Sequence, residues 1–317
     1  QVFTPDHITS LMYKILEVNA NDKILDAACG SGAFLVKSMS NMIKEVGGIN
    51  TKEAKKIKEH SLFGIEFDRE IFALACANMM IHKDGKTNLE QLDSRDKEAS
   101  EWIKSKGITK VLMNPPFERK YGCKKIVENV LNSVPSGIKC AFIMPEKKME
   151  KDKMGKLLEK HHLEAIIKLP EKLFDAGVTT SIYVFETGKK QVGEIYGCYI
   201  EDDGLERVKN QGRQDIKDKW MELENYWVDS IRKRNDTKYG TSQWIDPKKF
   251  LSYQKPKAEF VLYEEDFVKT MMNYLMFKNK IDVKEFSDKL INKTLYNSEI
   301  LKEDNNIVIK IKDAEDE

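Results

Sequence analysis

Hydrophobic residues in the first 190 positions fall into short apolar runs separated by longer amphipathic stretches. Short apolar runs predict buried strands, whereas apolar residues three and four positions apart predict helices. Strands that alternate with helices are typical of a doubly wound, mostly parallel sheet. The predicted strands number seven: Lys23–Ala27, Leu62–Phe67, Asn88–Leu92, Lys110–Met113, Ala141–Met144, Ala165–Leu169 and Ser181–Phe185. We therefore predict an α/β fold with a seven-stranded, doubly wound sheet in a domain spanning residues 1–190.

Three helices are predicted around these strands. The first begins at Thr4-Pro5, with Thr4 as the N-cap and Pro5 at the first helical position. The second runs from Ala33 to about Val46, directly after a glycine turn, and the third includes Phe72 to Met79. Apolar residues recur on one face of the first helix, so we expect that face to be buried.

Residues 191–317 follow a different pattern, and we predict a small C-terminal extension there, either α/β or helical. Ile195–Ile200 is predicted as a strand, Gly204–Lys219 as a polar loop and Trp220–Ile231 as a helix. An apolar stripe then follows, formed by Phe267, Val268, Met271, Met272, Leu275 and Met276. Such a stripe indicates either contact with a partner subunit or packing of the helix on its own domain.

The composition changes this picture little but excludes several classes of protein. Of the 317 residues, 41% are hydrophobic and 33% are charged, which suits one large core with a smaller appendage. Because the formal net charge is only +1, any basic face for a nucleic acid has to be local. No apolar run is long enough to span a membrane. The five cysteines form no CxxC pair, which predicts no metal site and no disulfide framework, and favours a cytoplasmic location.

The segment Leu25–Leu35 combines a strand, a glycine turn and the start of a helix. Glycines such as Gly30 and Gly32 allow a close approach of the backbone to a ligand at a helix N-terminus. A dinucleotide fingerprint would have Gly or Ala where this chain has Leu35. Asp26, four positions before the first glycine, suits a ligand with a cationic amine. The sequence therefore favours S-adenosylmethionine, which carries an ammonium and a sulfonium group, over a pyrophosphate.

Two further acidic residues end the next two predicted strands. Glu66, followed by Phe67, is placed to accept both ribose hydroxyls of a nucleoside, and Asp93 with the backbone of Ser94 to accept an adenine amino group. Each acid alone could equally be a solvated loop residue. Three acids that end three successive strands point to a ligand, because open α/β sheets bind ligands along that edge.

Asn114-Pro115-Pro116-Phe117 ends the fourth predicted strand. The side-chain oxygen of Asn114 and the carbonyl of Pro115 are two acceptors that can converge on one amino group and free its lone pair for attack on a methyl group. The two prolines stiffen the loop, and Phe117 offers a surface on which a base can stack. The alternative is that the prolines only terminate the strand while Phe117 fills the core.

Basic residues follow the fourth and fifth strands on the same predicted edge. Arg119 and Lys120 come directly after the tetrapeptide, and Lys147 and Lys148 follow the fifth strand. These side chains are placed to contact phosphates around a nucleotide flipped out of a duplex. An ordinary solvated lysine face is the alternative for each of them.

The chain resembles the methylation subunits of type I restriction–modification systems and their type IIG relatives. Gln1–Pro5 resembles the Q-F-F-T-P motif of this family, Asp26–Leu35 its cofactor loop, Asn114–Phe117 its N-P-P-F/Y motif, and Leu169–Phe174 a later segment that borders the base pocket. Two positions depart from the pattern: Ala27 replaces a common proline, and Leu92 stands where a glycine often precedes Asp93. Because the chain begins at Gln1, directly on a motif, we expect it to be a fragment of a longer protein.

The resemblance implies a class I S-adenosylmethionine-dependent methyltransferase fold and assigns roles to residues. Cofactor binding is predicted for Phe3, Thr4, Pro5, Asp26, Ala28, Gly30, Gly32, Phe34, Leu35, Glu66, Phe67, Asp93 and Ser94. Catalysis is predicted for Asn114, Pro115, Pro116 and Phe117. Substrate binding is predicted for Phe117, Phe174 on the other face of the base, Arg119, Lys120, Lys147 and Lys148.

The resemblance further implies methyl transfer to the N6 amino group of adenine in double-stranded DNA. A specificity subunit would then choose the sequence, and a restriction subunit could join the same assembly. Two alternatives stay open. The tetrapeptide also serves enzymes that methylate RNA adenine or a protein glutamine amide, and a non-catalytic scaffold could bind the cofactor alone.

Overall fold

The computed structural model describes residues 4–82, 88–118, 120, 122–150, 155–171, 173–174, 178–208, 212–256, 263–296, 298–303 and 306–311. Two of the predicted site residues, Phe3 and Arg119, lie outside the described residues. The chain divides into two compact units, Gln1–Lys255 and Pro256–Glu317. Each unit is described by itself below.

The first unit is built around one large sheet. Its first seven strands are β1 (Ile24–Asp26), β2 (Leu62–Ile65), β3 (Asn88–Glu90), β4 (Lys110–Met113), β5 (Lys139–Pro145), β6 (His162–Lys168) and β7 (Thr180–Glu186). These segments confirm the seven predicted strands. In the described part of the chain, β8 (Ile195–Tyr199) and β11 (Ser242–Ile245) extend the sheet to nine strands.

The strands lie in the order β11-β8-β6-β7-β5-β4-β1-β2-β3. Neighbours from β5 to β3 all pair in parallel, as do β6 and β8, whereas β7 is antiparallel to both β5 and β6 and β11 is antiparallel to β8. The mostly parallel arrangement agrees with the prediction. The predicted domain boundary at residue 190 differs from the boundary between compact units, because the strands after it continue the same sheet.

Helices cover both faces of the sheet. They are α1 (Asp6–Ile15), α2 (Ala33–Glu45), α3 (Lys52–His60), α4 (Arg69–Ile81), α5 (Lys97–Lys106), α6 (Cys123–Ser133), the single turns α7 (Glu146–Met149) and α8 (Gly155–Leu158), and α9 (Trp220–Lys233). One core contains Ile8 of α1 and Trp227 of α9, and the other contains Ile103 of α5 and Ile126 of α6. Adjacent residues of β5 alternate between the two cores, as the pleat of a sheet covered on both faces requires.

One prediction for the extension was wrong. The segment Gly204–Lys219, predicted as a loop, contains an antiparallel pair of strands, β9 (Glu206–Val208) and β10 (Gly212–Gln214). These strands are short and polar, so they lack the alternation of apolar and polar residues on which strand prediction depends. The predicted strand at 195–200 and the predicted helix at 220–231 are both present.

The second unit consists of α10 (Glu264–Lys278), α11 (Val283–Tyr296) and the antiparallel pair β12 (Ser298–Glu303) and β13 (Asn306–Ile311). In α10 the side chains of the predicted apolar stripe are exposed, Phe267 and Met271 among them, except Met276, which is half-buried. Its contact with a partner subunit therefore stays a prediction. Among the described residues, no helix is long and apolar enough to cross a membrane.

Candidate methyl-transfer site

The carboxyl ends of four adjacent strands bring the predicted motifs to one edge of the sheet. The strands β4, β1, β2 and β3 are neighbours and run parallel. Asp26 is the last residue of β1, and Asn114 and Glu66 directly follow β4 and β2. Asp93 lies three residues after the end of β3. The sequence prediction that these residues share one edge is thus met by the strand order.

The glycine turn between β1 and α2 is held by backbone hydrogen bonds. The N–H of Gly32 donates to the carbonyl of Cys29 at 2.7 Å, and the N–H of Cys29 donates to Ile65 of β2 at 3.0 Å. Gly30 and Gly32 adopt positive φ angles of 55° and 88°, which residues with a side chain rarely take. Among the described residues no side chain caps the start of α2, which leaves its first N–H groups available to a ligand.

Asp26 is buried at the end of β1, with 1% of its surface exposed. The N–H of Ala28 donates to its Oδ1 at 3.1 Å. Burial raises the pKa of Asp26 to about 8, the hydrogen bond from Ala28 lowers it, and the nearby carboxylate of Glu66 raises it. A cation that binds beside such a buried carboxyl stabilises its ionised form. The site therefore fits a ligand that carries an ammonium or sulfonium group.

Glu66 bridges the glycine turn and the loop after β2. Its Oε2 accepts from the N–H of Gly30, and its Oε1 accepts from the N–H of Asp68, both at 3.0 Å. A carboxylate oxygen has a second lone pair, so each can still accept one further hydrogen bond. The backbone thus orients Glu66 for a diol, as the predicted contact with ribose hydroxyls requires.

Asp93 has a partner that the sequence analysis missed. Arg95 donates from Nε to both carboxylate oxygens, at 2.8 and 3.0 Å, and from Nη2 to Oδ2. The side-chain hydrogen bonds from Arg95 hold the pKa of Asp93 below its ordinary value, although partial burial opposes them. The guanidinium also lies 5.9 Å from the ring centre of the exposed Phe67. An adenine ring that donates a hydrogen bond to Asp93 would have to share the carboxylate with Arg95.

Several predicted cofactor residues have their side chains in the structural core. Phe34 and Leu35 of α2 are 2% and 0% exposed and belong to the core cluster that also contains α1. Ser94 is also buried, and its hydroxyl donates to the carbonyl of Ala27. Any contact of these three residues with a cofactor would come from their main chain, because their side chains face away from solvent.

The side chain of Asn114 is oriented by Thr4, which belongs to the first of the sequence motifs. Its Nδ2 donates to Oγ1 of Thr4 at 2.9 Å. Its Oδ1 is buried and has no hydrogen-bond partner among the described residues. Thr4 was predicted as the N-cap of the first helix, and this was wrong. Pro5 holds the N-cap position without a side-chain hydrogen bond, and the Thr4 hydroxyl serves Asn114 instead.

The aromatic residues of the predicted base pocket contact each other. Phe117 is half-buried and Phe174 is 3% exposed, and their ring centres lie 5.5 Å apart at an interplanar angle of 83°. A base stacked between two rings needs them parallel and about 7 Å apart, at about 3.5 Å on each side. The predicted stacking of Phe174 on the second face of a base is therefore not compatible with this arrangement unless a ring moves.

The predicted phosphate contacts lie beyond the tetrapeptide and after β5. Lys120 is exposed, and its Nζ lies 3.1 Å from Glu118. Lys147 is exposed and Lys148 half-buried on α7, which directly follows β5. Their contact with a nucleic acid stays a prediction. In the loop between Asn114 and Phe117, Pro115 is buried and Pro116 is half-buried.

A family model for the N-6 DNA methylases matches residues 1–139 and 135–246. The chain belongs to this family. One relative of this N-6 DNA methylase is the type II restriction enzyme and methyltransferase RM.BcgI of Heyndrickxia coagulans. The chain is 30% identical to it over 303 residues, which cover 87% of the chain and 46% of that relative. The chain spans about half the length of the curated relatives it matches.

Solved structures share the fold of this N-6 DNA methylase. One is the type I restriction–modification methyltransferase subunit from Streptococcus thermophilus, with a TM-score of 0.57, 16% identity and coverage of 78% of this chain and 56% of that chain. Another, from Listeria monocytogenes, is described as a class I S-adenosylmethionine-dependent methyltransferase. Its TM-score is 0.52, with 18% identity and coverage of 73% of this chain and 71% of that chain. The predicted class I methyltransferase fold is confirmed, and family and fold together imply the use of S-adenosylmethionine.

Proposed function

We propose that this chain transfers a methyl group from S-adenosylmethionine to the N6 amino group of adenine in DNA. The observation that carries the proposal is the buried Oδ1 of Asn114, which has no partner among the described residues while its Nδ2 is held by Thr4. A buried acceptor without a donor is costly, by about 1–3 kcal/mol. A substrate amino group that donates to it would remove this cost.

The chain's own residues suit this reaction. Oδ1 of Asn114 and the carbonyl of Pro115 accept the two hydrogens of the amino group, which draws its nitrogen towards tetrahedral geometry and frees its lone pair. The rigid Pro-Pro loop keeps the two acceptors in place. The bound cofactor supplies an electrophilic methyl group on a sulfonium whose leaving group is neutral. The amino proton can then leave to solvent, so the site needs no strong base.

The donor pocket follows from the same edge of the sheet. Asp26 would hold the ammonium end of the cofactor, Glu66 its ribose hydroxyls and Asp93 its adenine, with the N–H groups at the start of α2 beside the carboxylate of its methionine part. The buried carboxyl of Asp26 and the preoriented carboxylate of Glu66 support this assignment. The coupling of Asp93 to Arg95 makes it the least direct of the three contacts.

The target base would stack on Phe117 once the ring contact with Phe174 opens. Phe174 is the more buried of the two, so Phe117 is the ring with room to turn. The basic residues Lys147 and Lys148, together with Lys120, would contact phosphates beside the flipped nucleotide. Because the contact between Phe117 and Phe174 would open when the base enters, the arrangement of the catalytic loop would depend on binding of the base.

Type I and type II restriction enzymes among the relatives support DNA as the substrate. We further propose that the chain works with a specificity subunit, and in some assemblies with a restriction subunit, as a modification subunit in the cytoplasm. The free state of all five cysteines is consistent with a reducing compartment. RNA adenine, a protein glutamine amide and a purely scaffolding role are the alternatives that the experiment below separates.

The test is methyl transfer by the protein in its native assembly, with radiolabelled S-adenosylmethionine and with DNA, RNA or protein as acceptor. Label should appear at N6 of adenine in DNA, and Asn114→Ala should lower kcat by about 100-fold or more while calorimetric donor affinity changes little. Asn132→Ala, at an exposed position of α6, is the matched control and should behave as wild type. Label in cytosine, RNA or protein would overturn the proposed substrate, and full activity of Asn114→Ala the mechanism.

A further inference from the structure

A buried polar cluster joins the first helix to the segment that follows β8. Nε2 of His7, in the first turn of α1, lies 3.1 Å from Oδ2 of Asp203. The side chain of Asp203 is 0% exposed and that of His7 8%. Arg213 of β10 donates from Nε to Oδ2 at 3.0 Å and from Nη2 to Oδ1. The Asp203 carboxylate is thus held by one distant residue, His7, and by one nearby residue, Arg213.

Further contacts hold α1 against α9. The ring of His7 packs edge-on against Trp220, the first residue of α9, with ring centres 4.9 Å apart. At the other end of α1, Nζ of Lys14 lies 2.5 Å from Oε2 of the buried Glu224. The backbone carbonyl of Lys14 also accepts from Nε of Arg232 at 3.0 Å. Residues after position 200 therefore contact α1 at both of its ends.

The start of α1 carries the residue that orients the catalytic amide. Thr4 lies two positions before the first residue of α1, and the carbonyl of Pro5 between them accepts from the N–H groups of Ile8 and Thr9 at 3.0 and 3.1 Å. These bonds hold Pro5, the residue next to Thr4, on the turn that contains His7. A shift of that turn would move Oγ1 of Thr4 away from Nδ2 of Asn114, to which it is bonded at 2.9 Å.

We propose that Asp203 is a positioning residue for methyl transfer, acting through His7 and Thr4 on the orientation of the Asn114 amide. Its catalytic consequence rests on the proposed function, whereas the structural coupling does not. A carboxylate suits this role because a buried charge that is fully paired is held in one geometry, and removal of its charge weakens both bonds at once. Burial tends to raise the pKa of Asp203, but hydrogen bonds from His7 and Arg213 outweigh burial and lower it.

The coupling has a readout that does not need activity. In protein labelled with ¹⁵N on asparagine, the side-chain amide signal of Asn114, assigned through its loss in Asn114→Ala, reports the bond to Thr4. Asp203→Asn should shift this signal in the same direction as Thr4→Val, which removes the hydroxyl. Glu164→Gln is the matched control, since Glu164 pairs with Lys139 and Arg234 near Ile15, at the opposite end of α1 from His7. An unchanged Asn114 signal in folded Asp203→Asn would overturn the proposal.

Kinetics separate positioning from general destabilisation. Asp203→Asn should lower kcat by about 10- to 100-fold, because small misplacements of reacting groups have effects of this size, while KM for the donor changes less than about two-fold. Thr4→Val should have a similar effect, and the double variant should be no worse than Thr4→Val alone, because both act through one bond. Additive effects, or equal losses in donor binding and kcat, would contradict the proposal.

A second pair of variants covers the case in which Asp203→Asn does not fold. His7→Gln keeps an amide nitrogen near the position of Nε2, so it should retain both the Asn114 signal and kcat. His7→Phe keeps the ring against Trp220 but cannot donate to Asp203, so it should lose both. Equal behaviour of these two variants would refute the role of the His7–Asp203 bond. A wild-type protein that methylates no adenine would instead refute the proposed function and leave the signal test decisive for the coupling.

Discussion

The buried carboxyl of Asp26 predicts a measurable dependence of stability on pH. Burial, opposed by the hydrogen bond from Ala28, raises its pKa from 3.8 to about 8, with a further contribution from Glu66. The folded state therefore binds a proton that the unfolded state has released throughout this interval. A group with a raised folded pKa stabilises the protein fully at pH values below 3.8 and loses that contribution as pH rises to about 8.

The perturbation is Asp26→Asn, which keeps the shape of the side chain and removes the titration. Between pH 4 and 8, the free energy of unfolding of wild type should fall relative to that of the variant by about 1.4 kcal/mol per pH unit. Across the whole interval the difference reaches about 6 kcal/mol at most, and relaxation of the site would reduce it. The effect is large because 1% exposure leaves the carboxylate almost no contact with water.

The assay is urea unfolding of wild type and Asp26→Asn at several pH values between 5 and 8. Asp96→Asn serves as the control, because Asp96 is exposed and forms no side-chain cap of α5. The difference in the free energy of unfolding between wild type and Asp26→Asn should change with pH. The same difference between wild type and Asp96→Asn should not. A flat difference would refute the reasoning, since it would mean that Asp26 ionises in the folded state near its ordinary pKa.

Donor binding offers an independent measurement on the same group. Binding of a cationic cofactor should favour the ionised form of Asp26, so at pH 7 about nine-tenths of a proton should be released per donor bound. Calorimetry in two buffers with different ionisation enthalpies measures this number. Asp26→Asn should release almost none from this site. Equal proton release by wild type and variant would show that Asp26 does not contact the cationic end of the cofactor.

Three further predictions follow from other contacts of the site. Glu66→Ala should weaken donor affinity by about 10-fold or more, because charge-assisted hydrogen bonds contribute about 1.5–3 kcal/mol; unchanged calorimetric affinity would exclude the ribose contact. Gly64→Ala should lower the free energy of unfolding by about 1–3 kcal/mol, because a Cβ there would lie 2.4 Å from Cδ2 of Leu89 and 2.9 Å from Cδ1 of Leu35; urea midpoints measure this, and an unchanged midpoint would show that these two side chains can shift without cost. Arg95→Ala should raise the pKa of Asp93 towards its ordinary value, since the lost side-chain hydrogen bonds lower it; carboxyl ¹³C titration by NMR would show no shift if Arg95 had no such role.

Much of the first unit could be predicted from the sequence because burial leaves a local record. Strands covered on both faces are short apolar runs, and all seven predicted from such runs are present. The parallel direction of β1 to β4 follows from the helical stretches between them, and it forces Asp26, Glu66 and Asn114 to one edge. The strands β9 and β10 left no such record, because their few residues are mostly polar.

The partners of the site residues depended on the tertiary structure. Thr4 was assigned to the helix beside it, yet its hydroxyl bonds to Asn114, 110 positions away. Asp203 and His7 are 196 positions apart, and no pattern in either segment indicates that they meet. The sequence by itself determined the kind of fold and the edge on which the chemistry lies, because hydrophobic periodicity and chain direction are local properties. Which acceptor is left free for a substrate was decided only by packing, because hydrogen bonds between distant segments form wherever the folded backbone brings their atoms within reach.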